Sequence, residues 1–369
     1  MIPVLKPTCD NWTKAKLLEV IDSGWWGSGK ITLEFEAAFA KRIGAKHAIA
    51  TCSGTAALDL CLKAYDLTWG ELITTPITFV SDASVGPWNG LRVTFADVDE
   101  ESLCLDPATI QPSEDTKAII AVHSHGRLAD IAGIRARFQH PEGAEADRPL
   151  IIEDCAHAMH TPGAGRLGDI AIWSFQAVKT LPAGDGGMVT TDSDEIAQKV
   201  RRLTWLGIEK STFQRTQGKG YNWDYDIAHD GTKSYMNDLN ASIALGGLRR
   251  IDELLAKRQR IQKTYNHAFK NLPGVKIPAW SHTCQYYTLK TDNRDTISTM
   301  LAEDGIATSV HFKPLHHMTA WKKSARYPLP VADRVWLKLL SLPCHDALTA
   351  EEQEYVIQKF IRAVMRTQE

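Results

Sequence analysis

The stretch Leu150-Ile151-Ile152-Glu153-Asp154-Cys155-Ala156-His157 holds the strongest indication of the fold. An apolar run of strand length ends here in two acids, which is typical of a buried parallel strand with polar residues at its carboxyl end. Ligands of open parallel sheets bind at the carboxyl ends of strands, so we expect Asp154 to face a crevice, with His157 about one helical turn further on. The alternative is that Asp154 caps the next helix and His157 is an ordinary structural histidine.

Six further apolar runs of strand length lie on both sides of this stretch. With Leu150–Glu153, the predicted strands are Ala48–Thr51, Glu71–Thr74, Arg92–Ala96, Ala118–His123, Ala171–Phe175 and Gly187–Thr191. Helical patterns such as Gly54–Ala64 and Asp130–Phe138 lie between them, and His140–Asp147 is expected to form a surface loop. This alternation predicts parallel βαβ units.

The last third of the chain has a different pattern. A helical period runs from about Asn237 towards Tyr265 and predicts a connection into a smaller unit. That unit is expected to contain strands at Gln285–Thr291 and Ser309–Phe312 and a final helix at Thr349–Val364. A chain of 369 residues is long enough for two domains, and we place them at residues 1–250 and 251–369.

Composition narrows the class of protein. The 42 Lys and Arg residues nearly balance the 44 Asp and Glu residues, and no block of like charge favours nucleic acid or a membrane as partner. No apolar stretch approaches the roughly 18 residues of a spanning helix, and the start lacks a secretory signal. Seven scattered cysteines argue against a disulfide framework. We therefore expect a cytoplasmic globular protein.

A turn of small residues, Thr51-Cys52-Ser53-Gly54-Thr55-Ala56-Ala57, stands between a predicted strand and a predicted helix. Its N–H groups would converge at the positive end of the helix dipole, which suits a phosphate group. The turn lacks the endings of the Walker and dinucleotide motifs. An ordinary helix cap explains it equally well.

Lys179 follows another predicted strand, within the stretch Ser174-Phe175-Gln176-Ala177-Val178-Lys179-Thr180-Leu181-Pro182-Ala183-Gly184-Asp185-Gly186-Gly187. A lysine between a buried strand and a glycine-rich turn can be desolvated and directed at an aldehyde, as a Schiff-base lysine requires. Most single lysines are only solvated charges. Together with Asp154 and the Gly54 turn, however, Lys179 completes the three anchors that pyridoxal 5'-phosphate (PLP) needs.

Segments with a family pattern extend over nearly the whole chain. They are Gly24–Gly29, Ser53–Leu58, Pro76–Phe79, Val122–Gly126, Glu153–His157, Ser174–Gly187, Met236–Asp238, Gly305–His311 and Pro314–His316. In order and spacing they resemble the DegT/DnrJ/EryC1/StrS sugar aminotransferases, which use PLP and have fold type I of the aspartate aminotransferase superfamily. The resemblance implies an α/β fold, with a mostly parallel seven-stranded sheet in a large domain and a smaller α+β C-terminal domain.

The resemblance also implies the site. Lys179 would bind the cofactor covalently and move the proton, and Asp154 would pair with the pyridinium nitrogen. Phe79 would stack on the ring and His157 would contact its other face or its phenolic oxygen. The remaining cofactor-binding residues would hold the phosphate, and they are Gly54, Thr55, Ser174 and, from the neighbouring subunit of a homodimer, Asn237.

By the same resemblance, the substrates would be glutamate or glutamine as donor and the keto group of a nucleotide-linked deoxy sugar as acceptor. Lys179 separates the chain from the dehydratases of the family, which have histidine at that position. His125, Tyr235 and Asp185 depart from the residues common in the family and lie near the expected substrate pocket. These departures leave the identity of the sugar open.

Two other functions are compatible with parts of the sequence. A metal-dependent hydrolase would use His123, His125, Asp154, His157 and His160, since His123-x-His125 on a strand has metal-ligand spacing. That hypothesis leaves Lys179 and the glycine turn unexplained. A non-catalytic PLP-binding regulator would need a DNA-binding module, for which the chain has no spare segment of roughly 60 residues.

Overall fold

A seven-stranded sheet forms the centre of the larger part of the molecule. The computed structural model describes residues 1–138, 148–216, 223–227 and 229–368, so the loop expected at His140–Asp147 lies outside the described residues. The strands are β1 (His47–Thr51), β2 (Gly70–Thr74), β3 (Leu91–Phe95), β4 (Thr116–Val122), β5 (Leu150–Asp154), β6 (Ile170–Ser174) and β7 (Gly187–Thr191). All seven predicted strands are confirmed.

The strand order is β1-β7-β6-β5-β4-β2-β3. Only β7 runs antiparallel to its neighbours, so the carboxyl ends of the other six strands share one edge. This arrangement confirms the mostly parallel α/β sheet and places the residues that follow β1, β2, β4, β5 and β6 side by side.

Helices cover both faces of the sheet, which is why the central strands consist mostly of buried apolar residues. The helices of this part are α1 (Asn11–Asp22), α2 (Lys30–Ile43), α3 (Gly54–Ala64), α4 (Ser81–Trp88), α5 (Ile131–Ala136), α6 (Asp194–Leu203), α7 (Thr212–Thr216) and α8 (Asp238–Arg249). On one face α3, α4 and α6 enclose an aliphatic core. On the other face α2 and α8 cover a core whose rings Phe35, Phe39 and Phe175 meet edge to face.

A three-stranded antiparallel sheet, in the order β10-β9-β8, forms the centre of the C-terminal part. Its strands are β8 (Val275–Lys276), β9 (Tyr287–Thr291) and β10 (Leu339–Leu342), and its helices are α9 (Ile251–Phe269), α10 (Arg294–Glu303), α11 (Pro330–Val335) and α12 (Ala350–Arg366). Tyr265, Phe269, Tyr287 and Phe360 fill the core between the sheet and the helices. The final helix is confirmed, and Thr349 caps it with Glu352 in a capping box.

Two predictions for this half of the chain are wrong in detail. The long helix expected from Asn237 to Tyr265 is two helices that meet at Arg250, and α9 runs from the core beside the large sheet, at Ile251, into the C-terminal core, at Tyr265. The strand expected at Ser309–Phe312 is a single bridge from Ser309 to Ser341, since the chain turns away from β10 beyond it.

The helix α9 therefore joins the two parts of the molecule, and the domain boundary at residue 250 stays a prediction. No helix in the described ranges is long and apolar enough to cross a membrane.

Candidate active site

The turn between β1 and α3 forms one wall of the candidate site. Ser53 caps α3 by accepting the Ala56 N–H at 3.0 Å, and the N–H groups of Gly54 and Thr55 have no acceptor one turn back, as at every helix start. Ser174, at the end of β6, lies against Gly54: a Cβ on Gly54 would stand 3.0 Å from the Ser174 Cβ and 3.4 Å from its Oγ. The three residues predicted to hold a phosphate within one chain, Gly54, Thr55 and Ser174, are thus neighbours.

Gly187 explains how these two segments come so close. It pairs with Thr51 of β1 and with Ser174 of β6, and a Cβ on Gly187 would lie 2.4 Å from the Ser53 carbonyl oxygen. Only glycine leaves that space empty. The glycine-rich end of the Lys179 segment therefore has a packing role beside the cradle of N–H groups.

Asp154 lies at the carboxyl end of β5, as expected, and its side chain is buried. The Ala156 N–H donates to its Oδ1 at 2.8 Å, which fixes the orientation of the carboxylate. No α-helix begins at this residue, so the alternative that Asp154 is an ordinary helix N-cap is wrong. Its free lone pairs suit a cationic N–H group.

Lys179 lies in the hairpin between β6 and β7, and the C-terminal part of the chain holds its backbone. Thr180 donates from its N–H and from its hydroxyl to Gln285 Oε1, each at 2.9 Å. Gln285 Nε2 donates to the Val178 carbonyl oxygen, also at 2.9 Å. One glutamine side chain thus binds the residues on both sides of Lys179.

The charge state of Lys179 suits a nucleophilic amine. Burial lowers the pKa of Lys179 from 10.5 to about 8, although the nearby carboxylate of Asp154 acts in the opposite direction. The lysine is half-buried and lies beside Asp154, as the sequence predicts. Near neutral pH a useful fraction of the amine is therefore uncharged.

This pKa leads to a first testable prediction. In the PLP-free protein, acetic anhydride should label Lys179 with a midpoint near pH 8, because only the neutral amine reacts and its pKa is lowered. Mass spectrometry of the labelled peptides against pH measures this, with Lys199, which pairs with Asp66 on the surface, as internal reference. A midpoint near the ordinary value of 10.5 would contradict the described environment.

Rings line the rest of the site. His157 is buried and stacks on Phe312, with ring centroids 5.9 Å apart, and on His125 at the same distance. Burial, followed by the charge of Lys179, holds the pKa of His157 well below 6.5, so its ring is neutral. Phe79 is 57% exposed although it stands between buried Thr78 and Asp82. An exposed ring at this position offers a surface on which a planar ligand can stack.

The three residues that depart from the family pattern lie in different places. His125 is buried against His157 and Tyr286, and the Arg127 guanidinium donates to its Nδ1 at 2.8 Å. Asp185 is exposed on the Lys179 hairpin. Tyr235 packs on Trp205 and lines a separate cavity of about 490 Å³, to which neither Lys179 nor Asp154 contributes. Of these three residues, only His125 therefore contacts a predicted cofactor-binding residue of the same chain, His157.

The predicted metal cluster is not formed by the described residues. Both ring nitrogens of His123 are engaged, because Ala129 donates its N–H to Nδ1 and Nε2 lies 2.8 Å from Glu153. His160 is exposed and contacts Arg42 at 3.0 Å. Within the described ranges, two other groups have ligand atoms close enough together to hold a metal ion. They are His123 with Glu153 and Cys155, and His316 with His317 and Asp333.

The described site fits PLP in four respects. The Gly54 turn and Ser174 provide donors for a phosphate, and Asp154 provides a buried acceptor for a ring N–H. His157 Nδ1 is buried without a hydrogen-bond partner among the described residues, so a phenolic oxygen could occupy that position. Lys179 supplies the amine for the aldehyde carbon.

Two residues of this site were not predicted from the sequence. Asp82 is fully buried beside Asp154, and Gln285 supports Lys179 from a distant part of the chain. The only local signal for Asp82 is an acid one helical turn after Thr78 and directly before apolar residues. No local signal marks Gln285.

Comparisons with known proteins agree with this geometry. Residues 7–361 match the DegT/DnrJ/EryC1/StrS aminotransferase family. The spore coat polysaccharide biosynthesis protein SpsC of Bacillus subtilis (strain 168) is 35% identical over 378 residues, which cover 97% of this chain and 95% of SpsC. The dTDP-4-dehydro-2,3,6-trideoxy-D-glucose 4-aminotransferase of Saccharopolyspora spinosa is 32% identical over 381 residues, which cover 99% and 97%.

A solved structure has the same fold. Spr1654 from Streptococcus pneumoniae, in a PMP form, matches with a TM-score of 0.89 and 25% identity, over 99% of this chain and 100% of that one. The same protein in a PLP form matches with a TM-score of 0.87.

Proposed function

Because this chain belongs to the DegT/DnrJ/EryC1/StrS aminotransferase family and is a PLP-dependent sugar aminotransferase, we propose that it moves an amino group from glutamate or glutamine to the keto group of a nucleotide-linked deoxy sugar. The observation that carries the proposal is the half-buried amine of Lys179, with a pKa of about 8, next to the buried carboxylate of Asp154. A metal-dependent hydrolase does not account for that pair, whereas a PLP-binding regulator would use it too, so turnover decides between regulator and enzyme.

The residues of the chain would divide the work as follows. Bound PLP supplies an electron sink that stores the amino group between the two half-reactions. Asp154 would accept the ring N–H and stabilise its positive charge, while Phe79 and His157 would enclose the ring. Lys179 Nζ would take a proton from the donor's α-carbon and deliver one to the sugar carbon, a role for which a pKa near the working pH is suited.

The proposed acceptor rests on similarity and on the chemistry of the site. The Saccharopolyspora spinosa relative is named for a dTDP-linked keto sugar, and SpsC for polysaccharide biosynthesis.

The location of the protein in the cytoplasm stays a prediction from the sequence.

A half-reaction experiment tests this function. The purified protein with PLP should be yellow, should lose the band on addition of glutamate or glutamine, and should regain it with a nucleotide-linked keto sugar. Loss of the band with an amino acid but no recovery with any such sugar would contradict the proposed acceptor, whereas no loss with either amino acid would contradict the donor.

We also propose that the active site is shared between two subunits of a homodimer, with Asn237 of each chain facing the phosphate of the other. Asn237 caps α8, and its side-chain oxygen accepts the Asn240 N–H at 2.8 Å. That bond uses the carbonyl oxygen only, so the NH₂ group remains available as a donor to an anion.

Mixing two inactive variants tests the shared site. Asn237→Asp keeps the cap acceptor but removes the donor and adds a negative charge against the phosphate. After random reassociation with Lys179→Ala, about a quarter of wild-type activity should return, because each mixed dimer contains one site with both native residues. Turnover before and after mixing measures this. If each chain used its own Asn237, mixing would restore nothing.

A further inference from the structure

Asp82 is a buried acid for which the proposed reaction assigns no role. It lies in the first turn of α4 and is 0% exposed. The Thr78 hydroxyl donates to its Oδ2, whereas its Oδ1 receives no N–H or hydroxyl donor from the described residues. Its carboxyl group lies beside that of Asp154, whose negative charge acts on it.

Two carboxylates cannot share a hydrogen bond unless one of them carries a proton. In a buried site the repulsion of two negative charges adds to the cost of desolvation, so the pair retains one proton. Burial and the charge of Asp154 raise the pKa of Asp82 well above 3.8, and only the Thr78 hydroxyl and the Lys179 charge oppose them. Asp154 differs from Asp82 in that one of its oxygens already accepts an N–H group, that of Ala156. The proton therefore belongs on Asp82.

We propose that Asp82 is a positioning residue, a neutral carboxylic acid that donates to Asp154 and thereby holds the carboxylate in the orientation that the ring nitrogen of PLP requires. The inference rests on the proposed role of Asp154. The two acids together would then carry a single negative charge, on Asp154, which would face the pyridinium nitrogen. The second acid supplies a fixed donor on one side of Asp154 and leaves the other side for the cofactor.

The variant Asp82→Asn tests whether Asp82 is protonated or ionised. Its NH₂ group can donate to Asp154 and its oxygen can accept from Thr78, as a protonated aspartate does, whereas Asp82→Ala removes both bonds. We expect PLP to bind Asp82→Asn within about threefold of wild type and Asp82→Ala at least about tenfold more weakly, since a hydrogen bond to a buried charge is lost. Equilibrium dialysis with PLP measures both.

Infrared spectroscopy of the PLP-free protein gives a readout that does not involve activity. The difference spectrum of wild type minus Asp82→Asn at neutral pH should contain the C=O stretch of a protonated carboxyl group. Asp59→Asn is the matched control, because Asp59 is also buried but is paired with Lys63. The control spectrum should contain no such band.

Stability against pH gives a second readout, with a defined sign. The folded state holds a proton on Asp82 that the unfolded state releases above pH 3.8, so ionisation of the unfolded chain destabilises the wild-type fold as the pH rises. Asp82→Asn lacks this effect. The unfolding constant of wild type relative to Asp82→Asn should therefore rise with pH, by at most about tenfold per unit, in urea titrations of the PLP-free proteins.

Specific results would overturn the proposal. Absence of the carboxyl band together with a pH-independent ratio of unfolding constants would show an ionised Asp82. Equal PLP affinity of Asp82→Ala and wild type would show that Asp82 does not position Asp154. If instead Asp154→Ala bound PLP normally while the band persisted, the acid pair would stand and the proposed role of Asp154 would fail.

Discussion

Lys179→Ala should lose at least about three orders of magnitude in turnover, because the variant lacks both the nucleophilic amine and the general base. No other lysine takes part in the electrostatic interactions of Asp154, Asp82 and His157 described for this site. The variant should also remain colourless after addition and removal of excess PLP. Stopped assays with glutamate and a nucleotide-linked keto sugar, together with absorbance spectra, measure both effects.

Lys199→Ala is the matched control for this prediction. Lys199 pairs with Asp66 far from the site, and surface ion pairs contribute little to stability, so colour and turnover should be unchanged. Addition of a small primary amine should restore part of the lost turnover in Lys179→Ala, since the cavity left by the side chain lies beside the reacting carbon. A yellow, active Lys179→Ala protein would contradict the assignment of the amine.

Asp154→Ala should weaken PLP binding by about two orders of magnitude or more, because removal of one partner of a buried ion pair costs roughly 3–5 kcal/mol. The substitution would also leave the Ala156 N–H without its acceptor, and under the proposed pairing the Asp82 carboxyl group as well. Fluorescence titration of the PLP-free protein with PLP measures the affinity.

The same variant should change the titration of Lys179. The negative charge of Asp154 raises the pKa of Lys179, so its removal should move the labelling midpoint below pH 8. Asp194→Ala, which affects exposed contacts with Lys46 and His47, should leave the midpoint and the affinity unchanged. Wild-type colour and affinity in Asp154→Ala would contradict the pairing with the ring nitrogen.

Much of the large sheet could be predicted from local pattern because its strands are buried on both faces. The run at 150–152 and the inner residues of the neighbouring strand β4 are apolar and buried. The polar residues that follow each strand mark the common edge. The family resemblance implied the place of Ser174 beside the Gly54 turn, whereas the strand pattern itself predicts Asp154 at this edge. Lys179 followed from the same logic.

The remaining features depend on contacts between distant segments. The helical period at 237–265 shows neither the break at Arg250 nor the passage of α9 from one core into the other, because both depend on packing against distant segments. The strand pairing at Ser309 ends after one residue pair because the following segment turns away from β10. Asp82 and Asp154 meet only because β2 and β5 both flank β4, which the sequence pattern does not specify.

The Gln285 amide has a consequence for exchanging parts between related enzymes. It joins the reactive lysine's hairpin to residues more than a hundred positions later in the chain. A chimera that takes its last third from a relative without a matching amide would retain every group of the large sheet and still misplace the nucleophile. Recombination of these enzymes should therefore take positions 180 and 285 from the same parent, whereas position 178 contributes only its main-chain carbonyl oxygen, which any residue supplies.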